Sequence, residues 1–103
     1  MFEFRSPEPI TLLMEDKSGN YAAVTAVAVD VRRLLPGRST LRGDEIIAFS
    51  MTVSTVAPGS GWAGGWRATT AIAGKALGNY IASAVLTFPG GTERADCPFE
   101  IAA

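Results

Sequence analysis

The sequence predicts an all-β chain, a two-sheet antiparallel sandwich of about seven short strands. Three observations carry that prediction. Apolar residues recur with a period of two in several segments, and no segment of eleven or more residues holds a 3.6-residue period. Turn signals rich in glycine and proline separate the segments at roughly 8–14-residue spacing. At 103 residues, 48% apolar and 18% charged, the chain suits one folded domain around one modest core.

The elements follow in order. Residues 10–16, ITLLMED, form a short apolar run ending at the turn signal Lys17-Ser18-Gly19-Asn20. Residues 21–33 then alternate, with Val27, Val29 and Val31 on one face and Ala26, Ala28 and Asp30 on the other. Leu34-Leu35-Pro36-Gly37 stops them, because proline cannot donate into a ladder and glycine permits a turn. Residues 41–46 could hold one helical turn at most. Residues 45–56 contain the clearest strand. Ile47, Phe49, Met51 and Val53 share one face and Ala48, Ser50, Thr52 and Ser54 the other, which predicts one buried side and one wet side.

A glycine-rich loop (57–65), another strand (66–73) and a turn (74–79) come next. In the following strand Tyr80, Ala82, Ala84, Leu86 and Phe88 fall on one face. Pro89-Gly90-Gly91 closes a hairpin, and the returning strand sets Ala95, Cys97, Phe99 and Ile101 on one side. Ile47, Phe49, Met51, Leu86 and Phe99 are therefore the predicted structural core, with Gly78 and Tyr80 at its corner.

Composition argues against chemistry. The net charge is −1 and Lys and Arg are scattered, which gives no footprint for nucleic acid. The chain has no histidine, which removes His-dependent nucleophile systems and most zinc sites. The lone Cys97 can form no intrachain disulfide and, with Glu93 and Asp96 nearby, predicts an inert buried thiol. The amino-terminal residues carry acids and two prolines where a signal peptide would be basic and then apolar. No apolar stretch is long enough to span a membrane, so the expected chain is made in the cytosol and stays soluble or leaves by a route other than secretion.

Gly59-Ser60-Gly61-Trp62-Ala63-Gly64 matches a dinucleotide fingerprint in letters only. A strand-like run follows where a helix should open, and no acid stands about 20 residues on. Residues 73–78 resemble the end of a P-loop, but Ala76 after Lys75 offers magnesium no hydroxyl. The pairs Asp44-Glu45 and Glu93/Asp96 lie at strand entrances and turns, ordinary places for solvated acids. No catalytic residue, metal ligand or cofactor is predicted.

The aromatic residues are the better candidates for contact. Trp66 begins a strand and is expected in the core. Trp62, between Gly61 and Ala63-Gly64, sits at the tip of the longest loop, either as a partner contact or folded back as a lid. Residues 1–27 are read as an amino-terminal arm plus a first strand. Its Phe2 and Phe4 suit a segment laid across a neighbour, or across the end of the chain's own sandwich.

Tyr80 directly after Gly78-Asn79 points to a particular sandwich. In immunoglobulin-like folds a tyrosine at the start of the penultimate strand pins the preceding corner through its hydroxyl. Ala82 stands where antibody domains carry a cysteine. The alternative is a plain core aromatic with its hydroxyl at the rim.

The motifs Gly43-Asp44-Ile46, Gly74/Gly78/Tyr80, Gly91-Thr92-Glu93-Arg94 and Phe99-Ile101 resemble those of small phage virion proteins of the fiber–tail adaptor and tail-associated immunoglobulin-like type, over residues 28–101. The resemblance implies a sandwich core at 28–103 and a non-enzymatic structural role in a bacteriophage virion. It implies other virion proteins as partners, a homo-oligomeric ring or lattice, and no nucleic acid or membrane. The alternatives are a capsid head-decoration protein, or an immunoglobulin-like module binding a ligand or sugar through the 57–65 loop. The first 27 residues and the two-tryptophan loop depart from the family pattern.

Overall fold

A computed structural model describes residues 2–17, 21–34 and 47–103. The predicted turn residues 18–20 and 35–37, the helical turn at 41–46 and the Gly43-Asp44-Ile46 strand entrance lie outside them. The chain is all-β. Seven strands run as β1 (Phe2–Arg5), β2 (Ile10–Glu15), β3 (Ala26–Arg33), β4 (Ile47–Val56), β5 (Gly65–Thr70), β6 (Gly78–Phe88) and β7 (Gly91–Ala102). One 3-10 turn, Tyr21–Ala23, precedes β3, and no α-helix occurs among the described residues.

The strands form one continuous sheet in the order β1-β7-β6-β3-β4-β5-β2, nearly closed into a barrel. All neighbours are antiparallel except β1, which runs parallel to β7. Strand β4 turns the sheet over. Its first half pairs with β3, with Met51 opposite Val29 and Phe49 opposite Val31. Its second half pairs with β5, from Thr52 opposite Thr69 to Val56 opposite Gly65.

Side chains alternate as a period of two requires. Ile10 and Leu12 of β2, Val29 and Val31 of β3, Met51 of β4, Ala68 of β5, Tyr80 of β6, and Phe99 and Ile101 of β7 meet in the interior. Half-buried Phe49, Leu86 and Phe4 pack against them.

The register corrects one core assignment. Val31 pairs with Phe49 but Arg32 with Ile47, so Ala48 is an extra residue on β4. Such a bulge moves the next side chain to the opposite face. Ile47 is accordingly 47% exposed and stands opposite Arg32, outside the core that the alternation predicts for it.

The amino-terminal segment is also part of the sheet. Phe2–Arg5 extends β7 by pairing with Phe99–Ala102, and the Arg5 guanidinium donates to the Glu3 carboxylate and to the backbone oxygen of Ala103. A turn closed by Glu8 N–H to the Arg5 carbonyl, 3.0 Å, leads straight to β2. Residues 2–15 therefore build the same unit as the strands from residue 28 onward, as its two edge strands.

Candidate functional site

The predicted corner comes first, because its geometry holds the interior side of β6 in place. The Tyr80 hydroxyl donates to the Ala76 carbonyl at 2.6 Å. Its ring stacks on Phe99 at 5.5 Å between centroids and lies 5.7 Å from Phe49. Phe4 meets Phe99 edge-on at 5.8 Å, and the Lys75 ammonium lies 4.9 Å above the Phe49 ring. An aromatic row thus crosses the sheet from β1 to β4, in the offset and edge-on arrangements that ring quadrupoles favour. Gly78 opens β6 with φ of 145°, a backbone region that L side chains avoid, and a β-carbon there would also press on Arg33.

Of the predicted contact residues, only Phe2 is an open surface, at 60% exposure. Phe4 faces inward onto Phe99 instead of toward a neighbour. Trp62 is half-buried. Gly59 and Trp62 exchange backbone hydrogen bonds of 2.9 and 3.0 Å across a tight turn, and the indole N–H donates to the Val56 carbonyl at 3.3 Å. The loop folds back over the end of β4 and offers no projecting ring. Gly64 is buried, and its carbonyl accepts the Asp16 amide at 2.9 Å. The Ala63 amide is held by the Glu15 carboxylate at 2.8 Å, which fixes the loop to β2.

A different surface emerges at the barrel's open seam. Among the described residues strand β1 pairs with β7 from Phe99 onward, and the outer edge of residues 92–97 has no strand neighbour. Across the seam β2 is the other terminal strand of the sheet. Between them lies an apolar crevice of about 60 Å³. Its floor consists of Ala68, Ala82, Ala84 and Val29, small side chains that leave the interior underfilled at this point. Exposed Phe2 and Leu13, 60% and 63%, stand at its mouth. Farther along the same seam a second hollow of about 320 Å³ brings Met14, Trp66 and Leu86 beside Glu15 and Glu93.

The outer face of the sheet carries a polar row. Ser50 donates to Asp30 at 2.7 Å, Asp30 pairs across strands with Ser83, and Arg94 donates to Ser83 at 3.2 Å and to Asp96 at 3.0 Å. Ser83 is nonetheless 3% exposed.

Cys97 is half-buried, and loss of hydration pushes its thiol above the ordinary range, which leaves it protonated near neutrality. Among the described residues no group of three or more acids and cysteines is placed to hold a metal ion. Sequence patterning places Ala82 and Ala84 on the inner face but cannot reveal the seam. Alternation assigns faces, whereas the crevice depends on which strands become edges.

Comparison of the chain with protein-family models, with curated proteins and with solved structures returns no match.

Proposed function

We propose that this chain is a non-enzymatic packing subunit with an immunoglobulin-like sandwich fold, acting in a bacteriophage virion at a tail or head–tail junction. The fold assignment draws on two features. The fourth strand pairs with β3 along its first half and with β5 along its second, as a strand passing between two layers of a sandwich would. The hydroxyl of Tyr80, four residues past Ala76, closes the corner before the penultimate strand, as in sandwiches of that type.

One observation carries the functional reading: an underfilled apolar crevice at the seam, with Phe2 and Leu13 exposed at its mouth. Large apolar side chains so placed mark contact sites for protein. The phage assignment draws on the motif resemblance over residues 28–101. The head-decoration alternative shares the packing mechanism. The ligand-binding alternative is the weaker, because the Trp62 indole is already engaged by Val56.

The test is association with particles. The parent chain, expressed during phage production, is expected to co-purify with intact virions in stoichiometric amount, and Leu13→Glu is expected to reduce incorporation at least about tenfold while leaving the circular dichroism unchanged. A folded parent chain absent from virions would overturn the assignment.

A further inference from the structure

We propose that β7 pairs antiparallel with β7 of a second copy, about a two-fold axis through Ala95. This names a partner for the packing role above and rests on that reading.

The direction of the edge groups follows from backbone hydrogen bonds on the far side of β6. Thr25 N–H donates to the Thr87 carbonyl and Leu34 N–H to the Asn79 carbonyl, both at 2.8 Å. Odd-numbered residues of β6 therefore turn their backbone groups toward β3, and even-numbered ones toward β7. Their opposites on β7 are odd: Ala84 faces Ala95 and Ala82 faces Cys97. The amides and carbonyls of Thr92, Arg94 and Asp96 consequently point outward, into the unoccupied edge.

The free edge has a definite length. It begins after the Pro89-Gly90 turn and ends where Phe2 meets Phe99. Thr92, Arg94 and Asp96 remain as the outward-turned residues, and Ala95 lies between the last two. Pro98 has no N–H, and with even-numbered residues turned outward its carbonyl is the acceptor that the parallel Phe2–Phe99 pairing uses, so it is not open to a second copy. About four backbone hydrogen bonds would form, two for each pairing of Arg94 with Asp96.

Charge selects the register. Outward-pointing residues must oppose one another, which admits two-folds through residues 93, 94, 95 and 96. Axes through Glu93, Arg94 or Asp96 place like charges face to face, whereas the axis through Ala95 places Arg94 opposite Asp96 on both sides. Residues 91–96 are all exposed.

Ala95 facing its own copy is a non-hydrogen-bonded pair, with α-carbons about 4.5 Å apart, within disulfide reach. The experiment is mild oxidation of purified Ala95→Cys/Cys97→Ser. A covalent dimer is expected, while Glu93→Cys/Cys97→Ser, whose cysteines would be four positions out of register, remains a monomer. Without cross-linking, Arg94→Asp in the otherwise native chain is expected to weaken dimerisation about tenfold or more, and Arg94→Asp/Asp96→Arg to restore it. Equal cross-linking at 93 and 95, or no cross-linking at 95 in a folded chain, would overturn the pairing. A chain that stays monomeric yet co-purifies with virions overturns the pairing alone and leaves the packing role standing.

Discussion

Tyr80 joins two networks that meet at one corner of the molecule. Its ring belongs to the aromatic row through Phe99, and its hydroxyl holds the Ala76 carbonyl at 2.6 Å. Removing the hydroxyl leaves that carbonyl without its donor in a part-buried site, and such a loss costs about 1–2 kcal/mol. Tyr80→Phe should therefore lower the urea midpoint with the slope unchanged, as measured by fluorescence. An unaltered midpoint would mean that the bond contributes nothing to the corner. This residue was legible in the sequence because Gly78 and Tyr80 form a local pattern. Ile47 was not, because its position depends on a single extra residue, Ala48, that no alternation of side chains announces.

At the scale of elements, β4 and the loop after it decide the shape. The strand serves two neighbours in turn, and the Gly59–Trp62 turn then returns the chain into β5. Here β5 and β2 approach very closely: a β-carbon on Gly65 would sit 1.9 Å from the Met14 carbonyl oxygen. Backbone would have to move to admit it. Gly65→Ala is expected to cost about 1–3 kcal/mol, by analogy with overpacked interiors, and to loosen β2 before the β6–β7 hairpin in residue-resolved exchange. Uniform loosening of both would show that the close approach is not specific to β2. Burial alternates at positions 10–13, 49–53 and 97–101, whereas residues 80–84 are buried in succession and 91–96 are all exposed. The amino-terminal strand does not advertise itself, since four residues followed by two prolines look like an arm until a partner strand is known.

For the whole molecule, the consequence of this topology is an incomplete closure. Six strand pairings tie the sheet together, and the two terminal strands face each other across an apolar seam. Isolated edges invite strand addition, and natural sheets blunt them with charge and proline. The outer edge of β7 carries both, in Arg94, Asp96 and Pro98, but the charges are placed so that one antiparallel register is complementary. The all-β class was accessible from composition and patterning. The seam was not, because strand order is a long-range property that local alternation leaves open. The most direct measurement is residue-resolved amide exchange on β7 at low and high protein concentration. The account predicts that Thr92, Arg94 and Asp96 exchange fast when dilute, while Ala95 and Cys97 stay protected by β6, and that Arg94 and Asp96 become protected as concentration rises. Fast exchange of Arg94 and Asp96 at every concentration, or protection of both even at high dilution, would contradict it.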